Sequence, residues 1–431
     1  MAFKPHRPLL LLLLCAVVVR PMAAPSEPRD PLPLDDLRIF VEVFDRIRTA
    51  YVHEVDDRTL LRNAIKGMLN ELDPHSSYLD AESFKELEVG TTGEFGGLGI
   101  ELGVEDGFIK VITPIDDTPA QRGGIEAGDI ILKIDERSMK GVDLSEGVKL
   151  MRGEVGSKVT LTIMREGEQQ PRQFTLARDT IKLPSIKSRL LESGYGYLRI
   201  AQFQANTGTD LLKALEKLRK EAKPLRGLVL DLRNNPGGLL DAAVAVADAF
   251  LSDGLIVYTQ GRLSDSRMTY GATPPNPAGE MPVVVLTNGG TASAAEIVAG
   301  ALQDQHRAVI MGTSSFGKGS VQTILPLTEE TGVKLTTALY YTPSGRSIQA
   351  EDIQPDIVVE RARITRLKED DRSIKEQDLA GHLLNGSHKN EPSSSRKKPA
   401  EQDELDGDYQ LQEALNLLKG LAILNRPLKG G

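Results

Sequence analysis

The segment Val283-Val284-Val285-Leu286-Thr287-Asn288-Gly289-Gly290-Thr291-Ala292-Ser293-Ala294-Ala295-Glu296-Ile297 reads as an apolar strand, a tight glycine turn and the start of a helix, with Ser293 at the helix start. There a serine hydroxyl can stand free at the carboxyl end of a strand. The Ala294 N–H, left unpaired by the helix and reinforced by its dipole, points at developing negative charge. Acyl transfer through an activated serine is the chemistry this supports, although the usual Gly-x-Ser-x-Gly is absent. The same residues also read as a plain capping box, Ser293 with Glu296 three residues on. A second apolar strand from Gly227 runs into Arg233-Asn234-Asn235-Pro236-Gly237-Gly238 just before another helix. Glycine lets backbone approach a substrate carbonyl closely, so a Gly237 or Gly238 N–H facing that of Ala294 would form a two-donor oxyanion hole. A turn that merely leads into a helix is the alternative.

A serine nucleophile needs a base, and the six histidines do not supply an obvious one. His6 lies at the start, His382 and His388 lie in a polar tail, and His306 trails Ser293 by thirteen residues, about 20 Å along a helix. His53 and His75 fall in a helical region, where His75, in Asp73-Pro74-His75-Ser76-Ser77, reads as a turn residue. A Ser-His-Asp triad is therefore not expected, and lysine is the exchanged base to look for. Phe316-Gly317-Lys318-Gly319-Ser320-Val321-Gln322 offers Lys318 between two glycines, with no acid within five residues on either side. To act near neutral pH its pKa must fall by about 3 units, roughly 4 kcal/mol, which burial away from acids can supply. Taken alone, a lysine in such a turn is also an ordinary surface charge. Gln322 shares a strand face with Lys318. A straight strand separates the two by about 13 Å, so both reach one serine only if the chain bends at Gly319.

Positioning these groups takes an α/β framework. From Tyr195 onward, strands (Tyr197–Phe203, Gly227–Leu232, Leu255–Tyr258, Val283–Leu286, Ala308–Gly312) alternate with helices (Thr207–Glu221, Leu239–Leu251, Ser293–Leu302), which predicts a mostly parallel sheet within a core at 179–362. Ahead of it, residues 93–178 are short β-rich runs punctuated by glycines, the texture of a compact inserted domain. Residues 25–92 form a helical module, with Leu37, Phe40, Val43, Phe44, Ile47 and Tyr51 at three- and four-residue steps. Residues 363–408 read as a flexible, charged linker, and 409–431 as a C-terminal helix. The apolar stripe of that helix, Leu411, Leu415, Leu418 and Leu421–Leu424, is expected to be covered by another subunit, with docking on its own core as the alternative.

The chain has 431 residues, 40% apolar and 26% charged, with 40 Gly and 24 Pro, which excludes a fibrous or wholly disordered protein and allows about three domains. A net charge of −9 with no basic stripe argues against a nucleic-acid partner. Lys4, His6 and Arg7 precede the apolar run Leu9–Val19, and Ala23 and Ala24 follow, so residues 1–24 are expected to be a secretory signal. Its removal takes three cations and no acid, leaving −12. Cys15, the only cysteine, lies in that run, so the mature chain has neither disulfides nor cysteine-based chemistry. Such an acidic exported protein suggests a bacterial periplasm or envelope.

From about residue 36 to 360 the chain closely resembles the C-terminal processing peptidases, also called tail-specific proteases. The resemblance is carried by Leu72-Asp73-Pro74-His75-Ser76-Ser77-Tyr78-Leu79, Gly96-Gly97-Leu98-Gly99-Ile100, Gly124-Ile125-Glu126-Ala127-Gly128-Asp129, Leu230 to Gly238, Thr291 to Ile297 and Gly317 to Gln322. It implies Ser293 as nucleophile, Lys318 as general base and Gln322 as the group that orients the lysine. It also implies a ClpP/crotonase-like α/β core carrying an inserted PDZ domain. In that domain Gly97, Leu98, Gly99 and Ile100 would offer backbone to a substrate's terminal carboxylate while the peptide adds as a strand. Ala295 stands where the family often has serine, a change beside the nucleophile. Asp304 aligns with an aspartate sometimes assigned to the catalytic set, but three helical turns, about 16 Å, suit a structural or interface role better. No metal or cofactor is implied. Expected partners are protein substrates taken by their C-terminal tails, a second copy paired through the terminal helices, and an adaptor of the kind some relatives use. The rivals are an inactive PDZ scaffold, in which Ser293 only caps a helix, and a hydratase-like acyl enzyme, which the export signal argues against.

Overall fold

The computed structural model describes residues 32–105, 107–263, 266–362 and 407–424. The expected export signal at 1–24 and all but the last two residues of the expected linker at 363–408 lie outside the described residues. The chain divides into two units, one up to Ile65 and one from Lys66 onward.

In the first unit, helix α1 (Leu34–Ala50) follows Pro33, with Asp35 and Asp36 in its first turn and Arg48 in its last, charges that complement the helix dipole. None of its residues is buried, and Leu37, Phe40, Val43 and Ile47 are all exposed. Helix α2 (Asp57–Asn70) starts where the Asp56 carboxylate accepts the Thr59 N–H at 3.0 Å.

The second unit, which takes the end of α2 from Lys66, continues with strand β1 (Ser77–Leu79) and helix α3 (Ala81–Thr92), capped by Asp80 and ended by Gly93 in left-handed geometry at φ 72°. The β-rich domain follows. Strands β2 (Glu94–Gly97) and β9 (Asp179–Lys182) pair at its base. Its body is an antiparallel sheet in the order β3 (Ile100–Glu105), β4 (Phe108–Pro114), β5 (Ile130–Ile134), β7 (Lys158–Met164), β8 (Arg172–Ala177), with β6 (Arg137–Ser138) beside β5. Helices α4 (Pro119–Arg122) and α5 (Leu144–Met151) complete it. Alternation works as expected: Val159, Leu161 and Ile163 of β7 point into a core with Ile109, Val111, Ile131 and Ile134. Strand β3 ends the sheet with one edge unpaired.

The α/β core holds two sheets where the alternating pattern had suggested one. In the first, β10 (Ile186–Glu192) pairs antiparallel with β11 (Tyr195–Ile200), and β11, β12 (Gly227–Asp231), β15 (Val283–Thr287), β16 (Val309–Gly312) and β19 (Ile357–Val358) run parallel. Every residue of β12 and β15 is buried, as a parallel sheet covered on both faces requires. Helices α6 (Thr207–Ala222), α7 (Leu240–Asp248) and α8 (Ala294–Asp304) cover one face, packing Leu211, Leu215, Val246, Ile297 and Val298 on Leu198, Leu228, Leu230 and Val285. The second sheet is antiparallel and joins β1, β18 (Gly332–Tyr341), β13 (Leu255–Gly261), β14 (Thr269–Gly271) and β17 (Ser320–Pro326).

The other face of the parallel sheet corrects an expectation. Helix α9 (Tyr409–Leu424) buries Leu411, Ala414, Leu415 and Leu418 against Val229, Val284, Leu286, Met311 and Val359 of its own chain. At about 1.5–3 kcal/mol per buried leucine, that docking satisfies the stripe, which is therefore not left for a partner. Only its far end, Ile423 and Leu424, stays exposed.

Candidate active site

Strands β12 and β15 lie side by side in parallel, so the turns that follow them emerge together at the carboxyl end of the sheet. Four hydrogen bonds tie those turns. Asn234 N–H donates to Asn288 Oδ1 and Asn288 Nδ2 returns to Asn234 Oδ1, both at 2.9 Å. The Thr291 hydroxyl donates to the Leu232 carbonyl at 2.8 Å, and Ala292 N–H to the Asn235 carbonyl at 2.9 Å. Gly237, at φ 100°, comes so close to the serine turn that a Cβ there would lie 2.8 Å from Ser293 Cβ and 3.0 Å from the Ala294 nitrogen. Its N–H donates to Asn235 Oδ1 at 2.9 Å. The Gly238 and Ala294 N–H groups make no hydrogen bond among the described residues and are free to donate to a bound group.

Ser293 does begin α8, and its N–H donates to the Glu296 carboxylate, one half of a capping box, while its own side chain makes no cap hydrogen bond. Its backbone, however, sits at φ 55°, ψ −116°, whereas an ordinary helix cap is extended. Holding a non-glycine residue there costs about 1–3 kcal/mol, a strain found where a reactive side chain must be presented. Glu296 explains how it is held. Its carboxylate is fully buried and accepts from Ser293 N–H at 2.7 Å, Gly317 N–H at 2.7 Å, Lys318 N–H at 2.9 Å and the Ser315 hydroxyl. One side chain thus joins the backbone of the serine turn to that of the lysine loop. The sequence suggested only its capping half; an acid facing an otherwise apolar helix was the available signal.

Lys318 is half-buried, and burial is the main cause that pushes its pKa below that of an ordinary lysine. Lys334 lowers it further, while Asp73 and Glu296 work in the opposite direction. The chain does depart from a straight strand after Lys318, at a register shift between Val321 and Gln322 rather than at Gly319. Gln322 Nε2 donates to the Ser320 hydroxyl at 2.7 Å and Thr336 Oγ1 at 3.5 Å; no hydrogen bond to Lys318 is formed among the described residues.

Asp73 and His75, which the sequence placed merely in a turn, belong to this surrounding. Strand β1 pairs with β18, Ser77 opposite Lys334, and brings the preceding turn against it. Asp73 accepts from His75 N–H at 2.7 Å, Ser76 N–H at 3.0 Å, the Ser76 hydroxyl at 2.6 Å and Thr336 Oγ1 at 3.1 Å. Burial works to raise its carboxyl, but these bonds, that of the Ser76 hydroxyl foremost, hold it below the ordinary range. Burial and then the charge of Lys318 lower the His75 pKa.

Asp304 is elsewhere. It lies at the far end of α8, accepts the Ser344 N–H at 2.9 Å and pairs with Arg346 at 3.5 Å, holding the turn after β18. In the β-rich domain, Gly97 closes β2, Gly99 turns at φ 75°, and the carbonyls of Leu98 and Gly99 accept from Ala120 and Ile115. The N–H groups of Leu98 and Gly99 donate to nothing among the described residues. They lead directly into Ile100, at the start of the unpaired edge of β3, where an extended peptide can add. Among the described residues there is no cluster of three or more His, Cys, Asp or Glu suited to a metal ion.

Three family descriptions match in succession: "Activating protease CtpB N-terminal domain" over residues 22–83, "PDZ domain" over 96–175 and "Peptidase family S41" over 194–359. The chain is 50% identical over 383 residues to a carboxy-terminal-processing protease of Bartonella bacilliformis, covering 88% of each protein. It is 38% identical to the carboxyl-terminal-processing protease of Synechocystis, covering 74% of this chain and 76% of that one. It is 35% identical to the carboxy-terminal processing protease CtpA of Bacillus subtilis, over 74% of this chain and 68% of the relative. Among solved structures, the photosystem II D1 C-terminal processing protease aligns at 31% identity and TM-score 0.43, covering 75% of this chain and 92% of that one. The chain therefore belongs to the carboxy-terminal processing proteases of peptidase family S41, serine peptidases here joined to a PDZ domain.

Proposed function

We propose that this protein is an exported endopeptidase of the bacterial periplasm that cuts proteins near their C-termini with a Ser293–Lys318 dyad on a ClpP/crotonase-like core. The observation that carries this reading is the strained Ser293 backbone, tied through buried Glu296 to the Lys318 N–H. Neutral Lys318 takes the proton as Ser293 Oγ attacks the scissile carbonyl. The N–H groups of Ala294 and Gly238 hold the oxyanion, with Gly237 giving the close approach between the turns. The lysine ammonium then returns the proton to the departing amine, leaving an acyl-serine. Water, deprotonated by the same lysine, cleaves that ester and restores the serine. Gln322 orients Lys318 once substrate closes the site. Gly97, Leu98, Gly99 and Ile100 receive the substrate's terminal carboxylate, and a second copy and an adaptor protein complete the working enzyme. The unpaired N–H groups of the loop and the open β3 edge support that capture mode.

The test is cleavage of casein by wild type, Ser293→Ala and Lys318→Ala from pH 6 to 9. Wild type alone is expected to cut, with an acidic limb below the ordinary lysine range. Equal cutting by all three would overturn the dyad. Binding of C-terminal peptides with no cutting, even with an adaptor supplied, would make the protein a scaffold.

A further inference from the structure

We infer that Arg233 and Asp408, the residue that caps α9, are positioning residues for the oxyanion turn. The inference rests on Gly238 and Ala294 as the oxyanion donors. Ladder pairing of β12 with β15 stops at Leu232, whose N–H donates to the Leu286 carbonyl at 3.0 Å. The next residue is Arg233, and its guanidinium spends all five donors. Nε and Nη2 meet Asp231 at 3.0 and 2.7 Å, Nη1 and Nη2 meet Asp408 at 2.9 and 2.7 Å, and Nη1 meets Gln410 at 3.0 Å. The Asp408 contact is the bidentate fork that fixes a planar guanidinium in both distance and angle.

Each partner is itself anchored. Asp231 is fully buried and also accepts from the Tyr197 hydroxyl at 2.8 Å and from Arg199 at 3.3 Å. Asp408 accepts the Leu411 N–H at 3.1 Å, so one carboxylate caps α9 and grips Arg233. Gln410 is buried and donates to the Val359 carbonyl at 2.7 Å. The clamp lies immediately before Asn234-Asn235-Pro236-Gly237-Gly238. On its other side that turn is held by Asn288 and by Asn235 Nδ2 on the Ile200 carbonyl at 2.8 Å. Slackening the clamp lets the turn shift against Ser293, and a misplacement on the order of 1 Å is enough to cost about 100-fold in rate. A packing element of the helix, by contrast, has no such reach into the turn.

The experiment uses the full-length protein and a chromogenic peptide substrate. Asp408→Asn keeps the helix cap and the shape but removes the charge and one arm of the fork; Asp408→Glu is the conservative rescue. Leu418→Ala weakens α9 without touching Arg233, and Ser293→Ala reports on the catalytic assignment. Thermal unfolding is followed for each, and assays run below every transition. The expected result is kcat lowered about ten- to hundredfold in Asp408→Asn, with KM within about twofold of wild type. A peptide aldehyde, whose adduct needs the oxyanion site, should lose affinity by the same factor. Asp408→Glu should recover most of the rate, and Leu418→Ala should lose melting temperature but keep kcat. A kcat in Asp408→Asn within twofold of wild type, or an equal loss in Leu418→Ala, overturns the inference. Activity persisting in Ser293→Ala would instead overturn the dyad, so the two failures are distinct.

Discussion

Lys318 can accept a proton only if the charges around it leave its amine neutral. Burial does most of this, Lys334 adds to it, and Asp73 and Glu296 oppose it, with His75 the remaining titratable neighbour. Lys334→Met removes a like charge, so the Lys318 pKa rises and the acidic limb of kcat/KM moves to higher pH; Lys334→Arg leaves it in place. A limb unmoved by Lys334→Met would mean that burial alone tunes the base. Glu296→Gln is expected to be more damaging. Its four donors all need an acceptor, and the amide NH2 must face at least one of them, at about 1–3 kcal/mol of stability and with a large loss of kcat. Denaturant titration and steady-state rates measure both. The turns that carry Ser293 and Lys318 were legible in the sequence from their glycines and flanking strands, whereas their pairing as a dyad was implied only by the family resemblance. Glu296 as a bridge was not, since its other partners lie nineteen to twenty-two residues away. Neither His75 nor Lys334 was legible as a neighbour of Lys318: pairing of β18 with β17 brings Lys334, and pairing of β1 with β18 brings His75.

Helix α9 and the parallel sheet make a different lesson at the scale of elements. The uninterrupted apolar runs of β12 and β15 announced strands covered on both faces, and α6, α7 and α8 account for one face only. The leucine stripe near the C-terminus was equally legible, but amphipathicity says that a face is covered, never by what. Leu415→Ala is expected to cost about 2–5 kcal/mol in a chemical denaturation curve, lowering the midpoint at unchanged slope. An effect below 0.5 kcal/mol would mean the helix is not docked in solution. The antiparallel sheet escaped the sequence reading for the same reason. Strands β1 and β18 are more than 250 residues apart in the chain, and no local pattern links them.

For the molecule as a whole, α1 is a candidate for self-association among the described residues, because its apolar residues find no cover in its own unit. Phe40→Glu with Ile47→Glu is expected to lower the mass measured by light scattering to that of one chain; unchanged mass would sink pairing through α1. Acid stability carries its own sign. Asp73, Asp304 and Asp408 are each held below the ordinary aspartate value by hydrogen bonds and charge that outweigh burial. Their stabilisation is complete above the unfolded value of about 3.9 and is lost as pH falls through the lowered folded values. Replacing Asp408 should therefore flatten the acid end of the stability curve, with little change in its shape above pH 5. The docking of α9 also has a consequence in time. Synthesis proceeds from the N-terminus, and earlier domains can fold while later ones are still being made. The β-rich domain can be in place early, but the sheet that carries Ser293 stays bare on one side until residues 407–424 have emerged and docked. A chain cut short before that segment would keep the β-rich domain whole while the sheet beneath the serine turn lacked its second cover.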